Sequence, residues 1–328
     1  MTDIDKVEEK EDTNENDINT VVIYHGGCFD GLCGAWCLSL LLKKEHTRYH
    51  AGKFNEPYPD VKDKNVIFVD FSYDLESTLK LLQEAENVVI LDHHKTAERL
   101  KFITDPRLTL NLDMNRSGAQ MAWDYALEKY EYLKTSPDFL KMFVPPLDIY
   151  NIMHMMNLTN KERPWFVNDI GDRDLWKWEI PFSKNTTKVI YNDTDIKNNF
   201  NKFSKLVEVK RDEYVKIGGY LNMADEAVYD AICKRAVDVI AIAFTGEQWK
   251  VKLVECDYMY VSDVGNRLVM DKLCDFAGMY NYNFTTKIWY VSLRASKESD
   301  IDLTKIIPLF DKKGGGHAKA AGMSIREM

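Results

Sequence analysis

No apolar stretch in this 328-residue chain approaches the roughly 18 residues that a membrane-spanning helix needs. No secretory pattern opens it either. The first residues are acidic where a signal peptide is basic and then apolar, so a cytoplasmic chain without a membrane partner is expected. Paired cysteine spacing is missing too: Cys28, Cys33, Cys37, Cys233, Cys256 and Cys274 are scattered, which excludes a zinc ribbon and fits reduced thiols better than a disulfide framework. Positive charge is scarce, with 43 Lys and Arg against 52 Asp and Glu and a formal net charge of −9. That balance argues against a surface that coats a long polyanion, and no long duplex nucleic acid is expected as a partner. Any phosphate-bearing substrate must be short or gripped locally. No repeat recurs at a period of roughly 20–50 residues, which excludes a solenoid.

The 45% hydrophobic and 12% aromatic content is enough for two cores of ordinary domain size. Residues 1–18 hold eight acids against two lysines and read as a disordered tail. Strand patterns near 20–24, 66–70 and 88–92 alternate with helical patterns near 31–43, 75–86 and 117–130. That alternation predicts an α/β domain over 19–183 with a mostly parallel sheet. Residues 136–165 are rich in Met, Leu and aromatics and read as helical, and Asn168–Trp176 reads as an acid-rich loop. The polar stretch from Lys184 marks the boundary, with 184–223 a linker and connecting helix. A smaller α/β unit fills 224–328, with strands near 237–244, 249–255 and 286–294 and helices near 262–273 and 302–310.

Three apolar runs end in residues that bind metals. Val21–Tyr24 leads into His25-Gly26-Gly27-Cys28-Phe29-Asp30, Val66–Val69 into Asp70, and Val88–Leu91 into Asp92-His93-His94. Open α/β sheets place their ligand sites at the carboxyl ends of such strands. An Asp after a strand, taken alone, is more often a helix cap. His25, Asp30, Asp70, His93 and Asp172 together supply the carboxylates and imidazoles of a two-metal site, including a carboxylate able to bridge the ions. Cys33 and Cys37, four apart around Gly34 and Ala35, read as helix packing.

The segments YHGGCFDG, VDFS, LDHHKTA and GDRDLW, followed far downstream by GGGHAKAAG, resemble the ordered motifs of the DHH phosphoesterase superfamily with its DHH-associated carboxyl-terminal domain. RecJ-type exonucleases, nanoRNases, cyclic-dinucleotide phosphodiesterases and, through the first domain, family II pyrophosphatases share that pattern. The resemblance implies one metal on His25, Cys28 and Asp70 and another on Asp30, Asp70, His93 and Asp172. Asp70 is then the bridge. Asp169 and Asp174 are alternatives to Asp172. Asp92 fixes the tautomer of a neighbouring imidazole, and His94 faces the scissile phosphate. Cys28 stands where the family has a carboxylate. A thiolate there favours zinc or iron over manganese, and the alternative is a buried small residue beside a weaker first site.

Arg294 resembles the family's substrate-binding arginine, with a surface ion pair as the alternative. Gly314, Gly315, Gly316 and His317 resemble its phosphate-binding loop, to which a helix over AKAAG would add its amino-terminal dipole. Lys312 and Lys313 would concentrate positive charge beside it, or form a solvated turn. Arg116-Ser117-Gly118 reads first as a helix start, and Trp176 and Trp178 as packing residues. The expected protein uses two divalent ions, manganese by resemblance, in a cleft between its domains, and hydrolyses short oligonucleotides or nucleotide phosphodiesters. Cyclic dinucleotides and polyphosphate are alternative substrates, a nucleic-acid-binding scaffold is the non-enzymatic alternative, and a homodimer is compatible with the sequence.

Overall fold

A computed structural model describes residues 17–54, 56–133, 149–159, 162–311 and 314–326. The chain divides into two compact units, Thr2–Leu221 and Asn222–Met328.

In the first unit, strands β1 (Thr20–His25), β2 (Thr47–Gly52), β3 (Asn65–Val69), β4 (Asn87–Asp92) and β5 (Leu108–Leu112) form one sheet in the order β2-β1-β3-β4-β5. Every pairing is parallel. Such a sheet is covered on both faces, which is why its central strands read as unbroken apolar runs. Successive side chains point to opposite faces. Val21, Ile23, Val66, Phe68, Val88 and Ile90 accordingly pack with Leu81 and Leu82 of helix α2 (Leu75–Glu84). Val22, Ile67, Val69 and Leu91 face helices α1 (Phe29–Ser39) and α3 (Gly118–Leu133). The chain winds from β1 to β2 on one side and from β3 through β4 to β5 on the other, so the carboxyl ends of β1 and β3 flank the point where the winding reverses. That is where His25 and Asp70 emerge.

Beyond α3, the unit adds α4 (Ile149–Met155), α5 (Trp165–Asp174), α6 (Ser183–Tyr191), α7 (Thr194–Asn198) and a 3-10 helix over Phe200–Val207. Two expectations are corrected here. Asn168–Trp176 is not a loop, because residues up to Asp174 complete α5, with Phe166, Val167 and Ile170 buried in the core. The stretch from Lys184 is not a linker: Ile190, Ile196, Phe203, Leu206 and Val207 are buried in the same core. Its polar residues masked this, since buried Thr186 and Thr187 turn their hydroxyls onto α6 carbonyls. Helix α8 (Arg211–Cys233) then spans the division between units. Residues 1–16 of the acidic tail, 134–148 and 160–161 of the Met-rich stretch, and Lys312 and Lys313 lie outside the described residues.

The second unit is a six-stranded sheet of β6 (Val237–Ile242), β7 (Gln248–Glu255), β8 (Phe276–Asn283), β9 (Ile288–Arg294), β10 (Gly315–Gly316) and β11 (Ala320–Arg326), ordered β10-β11-β9-β8-β7-β6. Only β7 and β8 run parallel. Helix α9 (Val261–Val269) covers one face through Val264 and Leu268 on Ala277 and Met279. Helix α10 (Leu303–Ile306) and the turn after it cover the other through Leu303, Ile306 and Ile307 on Val251, Phe276 and Leu293. A third correction falls here. The AKAAG segment enters strand β11 rather than a helix, because Gly315 and Gly316 pair with Gly322 and Ala321 and the chain reverses at His317. The expected α/β class, with a parallel sheet in the first unit and a second, smaller α/β unit, is the observed one. No helix among the described residues is long and apolar enough to cross a membrane.

Candidate metal centre

The first unit's site is assembled from the ends of three adjacent strands and the starts of two helices. After His25 the chain turns through Gly26 and Gly27, where φ is +78° at Gly27, a conformation that costs glycine little. Cys28 then caps α1 with extended backbone, and Asp30 falls in the first turn, fully buried. Gly31 permits this close start, since a β-carbon there would lie 2.5 Å from the carbonyl oxygen of His25.

Asp70 follows β3 in the left-handed region, at φ +56°. A non-glycine residue there costs about 1–3 kcal/mol and persists only where its surroundings hold it. Its amide donates to the Leu91 carbonyl at 2.9 Å. The bend aims the carboxylate between two imidazoles: Oδ1 lies 2.9 Å from Nε2 of His93, and Oδ2 lies 3.4 Å from Nδ1 of His25. Gly118, at the start of α3, is required by the same bend, because a β-carbon on it would sit 2.4 Å from the Asp70 β-carbon. The next residue, Ala119, donates its amide to Oδ1 of Asp30 at 3.2 Å.

Asp92 is engaged by its own neighbours. Its Oδ1 accepts the amides of His93 at 2.8 Å and His94 at 3.1 Å and meets Nδ1 of His94 at 2.7 Å. Its Oδ2 accepts the Ser72 hydroxyl at 2.7 Å. Burial opposes ionisation, yet the positive charge and hydrogen bond of His94 and the Ser72 hydroxyl bring its pKa down to about 2. The contact of Nδ1 of His94 with Asp92 fixes the orientation of that imidazole ring.

Among the described residues of the first unit, two sets of ligand atoms result, His25 with Asp70 and His94, and Asp30 with Asp70 and His93; within each, the atoms lie within 4.8 Å of one another. Asp70 belongs to both. Oδ2 of Asp174 adds a further oxygen 3.3 Å from Nε2 of His93. Burial opposes protonation of His93, but its hydrogen bond to Asp70 and the charges of Asp174, Asp70 and Asp30 push its pKa up to about 10. Those carboxylates draw positive charge to this point, as a proton or as a cation. Burial, then the charges of Asp70 and Asp174, drive Asp30 well above the usual carboxylate range.

These residues fit divalent metal. Nδ1 of His25 and Oδ2 of Asp30, Asp70 and Asp174 are buried without an aligned hydrogen-bond partner. A single unsatisfied buried polar group costs about 1–3 kcal/mol, and cations held by the two ligand sets would satisfy these four. Oxygen and imidazole ligands together suit manganese or zinc and do not decide between them.

Two expected ligands stand differently. Asp172 is turned inward: its Oδ1 accepts the Glu179 amide at 2.9 Å, and its Oδ2 accepts the Ile180 amide at 3.2 Å and the Ser183 hydroxyl at 2.5 Å. It fastens the start of α6, and Asp174, one of the two alternatives, is the acid that faces His93. Asp169 is committed to Arg211 and Thr186. Cys28 lies beside the cluster but in neither three-ligand set. Burial, then the charges of Asp70, Asp174 and Asp30, push its thiol well above its ordinary pKa.

Sequence reasoning missed the residues that brace the centre. Tyr191, at the end of α6, stacks on Phe29 with ring centres 4.2 Å apart and planes 9° from parallel. The Arg173 guanidinium lies 4.5 Å from the centre of the Tyr191 ring and 5.9 Å from that of Trp178. The stack joins the chain between Cys28 and Asp30 to the residue before Asp174. Phe29 and Arg173 each sit beside candidate ligands in sequence, but nothing local marks Tyr191.

In the second unit, Arg294 ends β9 and is enclosed. Its Nη2 donates to the Ser262 hydroxyl at 2.9 Å and its Nη1 to the Leu293 carbonyl at 2.9 Å. Gly265 makes room for it, since a β-carbon there would approach Arg294 Cγ to 2.6 Å. Gly314–His317 form the first arm and corner of the β10–β11 hairpin, where the His317 amide donates to the Ala320 carbonyl at 2.7 Å. Gly316, at φ +140°, has Ala320 and Ala321 too close for a side chain, whereas the space beside Gly315 is open.

No protein-family model matches the chain. An uncharacterized protein, R106, of Acanthamoeba polyphaga mimivirus is 25% identical over 322 residues, covering 93% of this chain and 67% of that protein. Similar solved structures include the exonuclease RecJ bound to manganese, at 15% identity with 94% of this chain and 86% of that one covered and a TM-score of 0.45. The pGpG-specific phosphodiesterase PggH from Vibrio cholerae is 15% identical, with 94% and 93% covered and a TM-score of 0.36. CDC45 from Entamoeba histolytica is 10% identical, with 95% and 93% covered and a TM-score of 0.42.

Proposed function

We propose that this chain is a metal-dependent phosphoesterase of the DHH type that hydrolyses phosphodiester bonds of short oligonucleotides. The observation that carries the reading is the pair of ligand sets, His25–Asp70–His94 and Asp30–Asp70–His93, meeting at one carboxylate. These residues would hold the divalent cations, which would supply a hydroxide nucleophile at neutral pH and neutralise charge on the phosphoryl oxygens. The protein's own contribution is placement. Asp70 belongs to both ligand sets, Asp174 supplements the second, and Asp92 holds the His94 ring in place. The Ala119 amide steadies Asp30, and the Tyr191 stack keeps α1 and α5 in register.

Three considerations support a short substrate. The net charge of −9 disfavours an extended polyanion groove. Arg294, cationic and without an ion pair among the described residues, suits a phosphate. The open side of Gly315 lets a ligand approach the backbone closely. The motif resemblance points to the same class.

The test is turnover of the purified chain on RNA and DNA of two to five and of about 24 residues, cyclic dinucleotides and polyphosphate, each with manganese, magnesium and zinc. Metal-dependent release of mononucleotides, fastest on the shortest substrates and lost in Asp70→Ala, is expected. Preference for a cyclic dinucleotide or polyphosphate would reassign the substrate. Binding of short strands without turnover under any metal would favour the scaffold.

A further inference from the structure

The candidate ligands of the metal centre are not equally covered. The side chains of Asp30, Asp70 and His93 are closed off, with 1% exposure or less, whereas His25 keeps 25% and Asp174 keeps 20%. A substrate therefore meets the centre on the side of His25 and Asp174. Beside His25 stands Phe54. It follows β2 by two residues, in a turn closed by the Glu56 amide, which donates to the Lys53 carbonyl at 3.3 Å. The end of β2 is tied to the His25 turn, since the Gly26 amide donates to the Gly52 carbonyl at 2.9 Å. The Phe54 ring centre lies 5.6 Å from that of His25, with the planes at 73°, and 4.9 Å from that of Phe71, with the planes at 48°. Phe71, the residue after Asp70, is fully buried and lies 5.8 Å from His25. Gly52 admits it, because a β-carbon there would come within 2.9 Å of the Phe71 ring.

Phe54 is thus held by one candidate ligand and by the neighbour of another, yet 43% of it is exposed. An exposed aromatic taken singly is ordinary. This one differs in its place. The loop after β2 lies outside the carboxyl ends of the strands, on the rim of the crevice where open parallel sheets bind their ligands, and it abuts the most exposed of the candidate ligands.

We propose that Phe54 stacks on the base of the nucleotide whose phosphate meets the metal centre, and that it selects nucleotide phosphodiesters over phosphoryl substrates without a base. The inference rests on the phosphodiesterase reading above and adds to it what is recognised beside the phosphate. A nucleotide carries a flat base one sugar away from its phosphate. A ring fixed against His25 is placed to take that base while the centre takes the phosphate, whereas polyphosphate offers the ring nothing. Every base has a π-face, so a stack of this kind accepts any sequence. The contacts with Phe71 and His25 order the ring before the substrate arrives, which lowers the entropy lost on binding.

The experiment uses the full-length chain with manganese. Isothermal titration compares adenosine 5′-monophosphate with ribose 5-phosphate, which share sugar and phosphate and differ by the base. The nucleotide should bind wild type about tenfold more tightly. Phe54→Ala should bring the two affinities together, as should Phe54→Leu, which keeps an apolar cover on Phe71 but has no π-face. Phe54→Trp should keep them apart. The ratio isolates the ring, because a disturbance of His25 weakens both probes alike. Equal affinities in wild type, a ratio that survives Phe54→Ala or Phe54→Leu, or a ratio lost in Phe54→Trp would each overturn the stacking role and leave the phosphodiesterase reading standing. A chain that takes up no divalent metal and binds neither probe would overturn both.

Discussion

Asp70 concentrates the chemistry and the conformational cost of the first unit in one residue. It sits in the left-handed region, buried, between His25 and His93, with one oxygen lacking an aligned partner. Removing it should disturb both ion positions, whereas removing Asp30 or His25 should disturb one. The acids of α5 separate two roles that sequence alone runs together. Asp172→Ala removes the acceptor of two amides and a buried hydroxyl and should destabilise the fold by about 2–3 kcal/mol. Its manganese affinity should stay near wild type. Asp174→Ala should do the reverse, weakening manganese binding by about tenfold or more with little change in melting temperature. Isothermal titration and thermal melts on both variants decide this, and equal loss of metal in Asp172→Ala would return the ligand role to that residue.

At the scale of elements, the site depends on how closely α1 and α3 can begin beside the ends of β1 and β3. Gly31 and Gly118 set those approaches, and the contact at Gly118 is with backbone and β-carbon of Asp70 rather than a side-chain tip. Gly118→Ala should therefore cost about 1–3 kcal/mol and lower metal affinity together. A variant that melts and titrates like wild type would show that the α3 start can shift without moving Asp70. The strands β1, β3 and β4 were legible because burial on both faces made them continuous apolar runs. Strands β2 and β5 were not. Arg48, Tyr49, His50 and Ala51 in β2 and Asn111 in β5 are only partly covered at the sheet edges, and Thr109 is exposed, so no apolar run announces these strands.

At the scale of the whole molecule, the buried carboxylates of Asp30, Asp70 and Asp174 repel one another, and a bound cation relieves them. Saturating manganese should raise the melting temperature of the first unit's transition, with a stabilisation of about 2.7 kcal/mol at a hundredfold excess over the dissociation constant. Chelation should reverse the shift. Asp70→Ala should show none of it. An unchanged melt on adding manganese, magnesium or zinc would contradict the proposed centre.

The sequence by itself determined the parallel α/β class, the three strands that end in His or Asp, and the grouping of His25, Asp30, Asp70 and His93 at their ends. Each of these follows from local pattern, because a buried strand needs apolar residues and its carboxyl end is where the chain exposes polar ones. Only the tertiary structure decided that Asp174 rather than Asp172 faces the cluster, since that depends on which side of α5 meets α6. Burial of 184–207 in the first unit's core was likewise hidden, because hydroxyls satisfied by α6 carbonyls look in sequence like a solvated linker. The GGGH segment could serve a helix or a hairpin equally well, and the pairing of Gly315 and Gly316 with Ala321 and Gly322 chose the hairpin. The placement of Tyr191 on Phe29 belongs to the same class: a contact between residues far apart in the chain leaves no periodicity to read, and packing alone sets it.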